Sequence, residues 1–175
     1  NTTGHSNVAV GALALDSADT NNNTAVGYEA MTNSTASECV AVGSRALKAH
    51  TSGARNSALG SEAATAVTTA NDITAIGRSS LQVCTTGSSN TALGSKSLMS
   101  NTTGASNTAV GLQALLTVTT GSANVGVGIN AGNAITTGNF NTCVGQAAGD
   151  NITTGNNNLI LGHDSNCSSA TASNE

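Results

Sequence analysis

Three histidines, four cysteines and nine carboxylates are the residues of this 175-residue chain best suited to chemistry. His5, His50 and His163 could bind a metal or pass protons, but they stand far apart and read as solvated surface residues. His163-Asp164 reads as a turn variant rather than an acid–base pair. Cys39, Cys84, Cys143 and Cys167 show no C-x-x-C spacing, which argues against zinc. Disulfides stay open as an alternative to free cysteines acting as small hydrophobes. The carboxylates do not converge as glycoside hydrolysis requires. No serine sits in a G-x-S-x-G elbow. Gly126-Val127-Gly128 belongs to a repeat and not to a phosphate loop, because no helix is expected after it. The expectation is therefore a protein that is not an enzyme, with no catalytic residue, no metal ligand and no cofactor.

Composition narrows the partners. Charged residues are 8% of the chain, where about 25% is usual. The five basic residues (Arg45, Lys48, Arg55, Arg78, Lys96) are isolated, with no aromatic platform between them, so nucleic acid is not expected. No apolar run approaches the roughly 20 residues that cross a bilayer, so membrane insertion is not expected either. Tyr28 and Phe140 are the only aromatic residues. The core must therefore be thin and built from Val, Leu, Ile and Ala. The six Asn-x-Ser/Thr sequons (at Asn1, Asn22, Asn33, Asn101, Asn151 and Asn166) carry weight only in a secreting eukaryote.

The element that must position all of these residues is a repeat. Gly11, Gly27, Gly43, Gly60, Gly77, Gly94, Gly111, Gly128, Gly145 and Gly162 recur at spacings of 16, 16 and then 17 residues. The consensus is T-T-G-x-x-N-T-A-V-G-x-x-A-L-x-x-x. A period of this length is too short for a helical hairpin, and glycine at two fixed places would cost a helix about 1 kcal/mol each. Short β-rich segments divided by glycine predict one solenoid turn per repeat. The fold class expected is all-β: a parallel β-solenoid of ten coils over residues 1–167, followed by a polar tail at 168–175. At about 4.8 Å per coil the rod measures roughly 48 Å.

Each column of the alignment carries an expectation. The aliphatic residue before the glycine is read as the core: Val10, Val26, Val42, Leu59, Ile76, Leu93, Val110, Val127, Val144 and Leu161. Four before the glycine lies an asparagine ladder: Asn7, Asn23, Asn56, Asn90, Asn107, Asn124, Asn141 and Asn158. Its amides can hydrogen-bond along the rod. The glycine of the Thr-Thr-Gly corner is expected to take positive φ. The first two positions after the anchor glycine vary freely and face solvent. Glu29, Arg45 and Glu62 fall in one column, and Glu38, Arg55 and Asp72 in another, each alternating in sign. Both triads should stand as vertical ladders.

The segments Asn7-Val8-Ala9-Val10-Gly11, Cys39-Val40-Ala41-Val42-Gly43 and Thr74-Ala75-Ile76-Gly77, with a small residue three after each glycine, resemble the head repeats of trimeric autotransporter adhesins. The longer Thr-Thr-Gly and Asn-Thr-Ala-Val-Gly form is similar to repeats in bacteriophage tail fibres. The resemblance covers residues 1–167 and implies a left-handed parallel β-roll with three chains about a common axis. It departs from the family in its longer 17-residue turn and in lacking the neck and stalk. If family geometry holds, the column three before the glycine faces the axis: Val8, Thr24, Val40, Ser57, Thr74, Thr91, Thr108, Val125, Thr142 and Leu159. The implied role is a structural or adhesive rod of a homotrimeric fibre on a virion or cell surface, with a host glycan or protein as partner. Free cysteines would suit assembly in a reducing cytoplasm, as phage fibres have. Two alternatives come from the residues themselves: an ice-binding solenoid, from the threonine-rich columns, and a self-polymerising filament subunit.

Overall fold

The computed structural model describes residues 4–16 and 20–175. Ten three-residue strands form one parallel sheet in sequence order: β1 (Val8–Val10), β2 (Thr24–Val26), β3 (Val40–Val42), β4 (Ser57–Leu59), β5 (Thr74–Ile76), β6 (Thr91–Leu93), β7 (Thr108–Val110), β8 (Val125–Val127), β9 (Thr142–Val144) and β10 (Leu159–Leu161). Each repeat supplies one strand and one solenoid turn. Pairing runs from Val8 opposite Thr24 to Thr142 opposite Leu159, in the register that the glycine alignment gives. The all-β parallel solenoid is thus the fold of this chain.

The strands end at the anchor glycine for a steric reason. At Gly60 φ is +143°, and a Cβ there would lie 2.6 Å from the carbonyl oxygen of Gly77 in the next coil. Backbone meets backbone in this way from Gly11 to Gly145, so no other residue fits there; at Gly162 a Cβ would meet only the Ser165 side chain. The corner glycine works differently from expectation. Gly104 is not among the residues with positive φ; it is needed for space, because a Cβ would lie 2.2 Å from Gly121 O. Positive φ falls two residues later instead, on Arg55, Ser106 and Phe140, for instance.

The left-handed backbone is in fact a property of the repeat. It recurs two and four residues after the anchor glycine on ordinary side chains such as Arg45 (φ 61°) and Leu47 (φ 50°). Such a conformation costs roughly 1–2 kcal/mol per residue. Hydrogen bonds between coils hold it in place: Arg45 N donates to Tyr28 O at 2.8 Å, and Leu47 N to Ala63 O at 3.1 Å.

The core column requires correction. Val10, Val26, Val42, Leu59, Ile76, Leu93, Val110, Val127, Val144 and Leu161 point outward; Val10 is 56% exposed and Leu161 61%. Side chains in a strand alternate with period two. The positions one and three before the glycine therefore share the outer face, and the tiny residue between them points in. Ala25, Ala41, Ala75, Ala92 and Ala109 are fully buried. The interior at that point admits only small residues because Met31, Leu47, Leu81, Leu98 and Leu115, four after the glycine, fill it from across the coil. Volumes trade between these columns. At Gly126 a Cβ would lie 2.8 Å from Leu115 Cγ, and at Gly149 one would lie 2.5 Å from Cys143 Sγ.

Residues 168–175 continue the same path rather than forming a separate tail. Thr153 N donates to Ala170 O at 2.7 Å, Asn158 Nδ2 to Ala172 O at 2.8 Å, and Leu159 N to Glu175 O at 2.7 Å.

Candidate functional surface

Two columns of polar side chains clasp each coil to the next. In the asparagine ladder, Oδ1 accepts the backbone N–H of the coil above, as from Asn124 N to Asn107 Oδ1 at 2.9 Å. Nδ2 donates to the corner carbonyl of that coil, as from Asn107 to Gly121 O at 2.9 Å. Amide-to-amide bonds join Asn107, Asn124, Asn141 and Asn158. Asn23, Asn56 and Asn90 bond backbone or other side chains instead. The ladder residues from Asn23 onward are buried, and Asn7 is half-buried. They satisfy backbone groups that the short strands leave unpaired inside the coil, where an unmet polar group costs about 1–3 kcal/mol.

A second clasp stands six before the glycine and runs the opposite way. Ala105 N donates to Ser122 Oγ (3.1 Å), Ser122 N to Asn139 Oδ1 (2.9 Å) and Asn139 N to Asn156 Oδ1 (2.8 Å). The recurring Ser or Asn at this position was the available signal in the sequence.

The charged columns stand as ladders. Arg45 lies between Glu29 (3.2 Å) and Glu62 (3.9 Å), and Lys48 also reaches Glu29 at 2.7 Å. Arg55 grips both oxygens of Asp72 at 2.6 and 3.0 Å. Lys48 and Arg45 hold the Glu29 carboxyl below its ordinary range, and Arg55 does the same for Asp72.

The other reactive side chains are scattered. His5 and His163 are exposed, the latter 3.2 Å from Asp164. His50 is wholly buried, contrary to a surface reading. It takes a column that later holds Val67, Cys84, Asn101, Val118, Ile135 and Ile152, all buried, so it lies in the core as they do. The four cysteines are free and buried. Burial pushes the Cys84 thiol up to about 11 and that of Cys143 to about 12, so neither is a nucleophile near neutral pH. Among the described residues there is no pocket and no cluster suited to a metal. Among the same residues no helix is long and apolar enough to cross a membrane.

What remains for function is surface. The outer residues of all ten strands, in the columns one and three before the glycine, are Val, Leu, Ile, Thr or Ser without a single charge. Val8, Val40, Leu59, Leu93, Val144, Leu159 and Leu161 are each more than a third exposed. The column read as an axis therefore does face outward, together with the aliphatic column read as core. Comparison with family models, curated proteins and solved structures finds no match. A separate file of exposed threonines (Thr69, Thr86, Thr103, Thr120, Thr137, Thr154) marks the corner. The threonine before each of these donates its hydroxyl to the next coil, as from Thr102 Oγ1 to Thr119 O at 3.0 Å.

Proposed function

We propose that this chain is a structural and adhesive rod segment of a homotrimeric fibre, displayed on a virion or cell surface. One observation carries the reading: an uncharged, largely aliphatic face that runs along all ten strands. Water contact with such a face is unfavourable by about 25 cal/mol per Å² of apolar area. Continuous apolar patches of this kind mark surfaces that meet other proteins. Three copies arranged about an axis would cover the face on every copy, in keeping with the resemblance to adhesin and tail-fibre repeats. Recognition of a host glycan or protein then belongs to the variable residues after the glycine, such as Tyr28, Arg78 and Gln146. Sedimentation equilibrium at micromolar concentration tests the assembly. A trimeric mass is expected; Val110→Lys with Val127→Lys should reduce it to a monomer. A monomeric native chain would remove the reading.

The exposed threonine file favours ice binding as the second reading, since regularly spaced hydroxyls and methyls can order water. Thermal hysteresis of the purified chain separates the two.

A further inference from the structure

The third and fourth coils meet at a junction unlike the others. Cys39 replaces the ladder asparagine there, so the backbone N–H of Asn56 meets a thiol sulfur, a weaker acceptor than an amide oxygen. Ala54 replaces the Ser or Asn of the second clasp, so no side chain accepts from Ser37 N. Two further buried side-chain bonds cross the junction: Ser34 Oγ to His50 Nδ1 at 2.9 Å, and the Cys39 thiol to Gly53 O at 3.5 Å. The other ring nitrogen, Nε2, lies 3.0 Å from Asn56 Nδ2.

The Asn56 amide is oriented by its remaining bonds. Its Nδ2 donates to Ala70 O, and its Oδ1 accepts from Ile73 N. Nε2 of His50 must therefore be the lone-pair nitrogen, and Nδ1 carries the hydrogen toward Ser34. A proton added at Nε2 would set two donors against each other 3.0 Å apart. Turning the amide to relieve this would give up the bond from Ile73 N. The charge would also be buried without a counter-ion. Burial holds the ring below the usual histidine range, and the Gly53 carbonyl offsets this only in part. The titratable group beside it is the Cys39 thiol, which burial pushes up and keeps neutral. The charged residues of the same coils stay outside: Lys48 is paired with Glu29, Arg55 with Asp72, and Glu38 is exposed.

We propose that His50 makes the junction between residues 34–43 and 50–60 an acid-labile joint, the one place where mild acidification parts neighbouring coils while the rest of the solenoid stays closed. The folded chain binds this proton more weakly than the unfolded one. The contribution of the neutral ring is complete above about pH 6.5 and drains away as pH falls below that value. Opening at the joint should rise by up to tenfold per pH unit in that window.

Hydrogen exchange of the purified chain from pH 7.5 to 4.5, corrected for intrinsic rates, reads this directly. Val40 N and Gly60 N, which donate across the joint to Asn56 O and Val42 O, report on it. Thr108 N and Gly128 N, which donate to Asn124 O and Val110 O, are the controls. Protection at Val40 and Gly60 should fall about tenfold per pH unit below 6.5, while the controls hold. His50→Val, which copies Val67 and Val118 of the same column, should abolish the fall. If that variant does not fold, His50→Asn follows the precedent of Asn101. The same acid response in a folded variant, or unchanged protection in the native chain down to pH 4.5, overturns the proposal. So does an NMR titration in which the His50 ring protonates in the ordinary range while Val40 stays protected.

Discussion

Residues 20–96 and residues 97–149 fold to the same coil by different means. The first stretch holds all five basic residues and the shorter spacing from Gly27 to Gly43, and its asparagine ladder is broken at Cys39 and Ile73. The second contains no Asp, Glu, Lys, Arg or His, and its ladder is unbroken. In an in-register solenoid every side chain stacks on its counterpart a coil away. Charges must then alternate in sign, as Glu29, Arg45 and Glu62 do. Amides need no such alternation, because each both donates and accepts. Neutral repeats can therefore be copied without limit, whereas charged ones constrain their neighbours. Since each coil contacts mainly those beside it, stability should vary locally along the rod.

The largest loss is expected where backbone contact is tightest within the regular stretch. Gly111→Val would place a Cβ 2.6 Å from Gly128 O at φ +131°, and a loss of about 4 kcal/mol or more, beyond the usual range of single substitutions, should abolish its cooperative melting. Leu115→Ala comes next at about 2–5 kcal/mol, since Gly126 and Gly132 leave their space to that side chain; calorimetry should show it. Asn124→Ala should cost about 2–4 kcal/mol in urea unfolding, because it strands Asn141 N and Gly138 O inside the coil. Asn56→Ala sharpens the contrast: it strands Ile73 N and Ala70 O and also removes the partner of His50. Its effect should shrink on acidification, unlike that of Asn124→Ala. The smallest change is expected for Asp72→Asn, whose pair with Arg55 lies in solvent. Its carboxyl is held below the ordinary range, so any contribution is present above that range and lost as pH falls through the folded value. A melting midpoint that responds less to salt in this variant than in the native chain would isolate the pair, since the Glu29, Arg45 and Lys48 contacts remain in both.

Much of the fold was legible because a repeat samples each position ten times. Period, register, the asparagine column and the charge ladders followed from column statistics alone. The direction in which a column points did not. A uniformly aliphatic column looks like core whether it packs inward or against other molecules, and only the two-residue strand period separates the cases. Applied to the column at Val110, that period places it outward with Thr108, on the side opposite Ala109. The left-handed residues were hidden for another reason: Arg45, Leu47 and Phe140 are not residue types that advertise positive φ, and contacts between coils impose it on them. His50 was misplaced because its column mixes Val, Cys, Asn and Ile, so no consensus announced a buried site. Ser34 precedes it in that same column, but Asn56 belongs to the ladder column, and column reading alone does not bring Asn56 and His50 together.

The two clasps give the rod a mechanical character. Bonds that run along the axis and act side by side at every junction share an axial load between them, while the junctions themselves stand in series. Such a member is as strong in tension as its least-clasped joint. Where Cys39 and Ala54 interrupt both columns, the rod carries a built-in fuse, and under pulling force the chain should part there before any coil of the uncharged stretch yields.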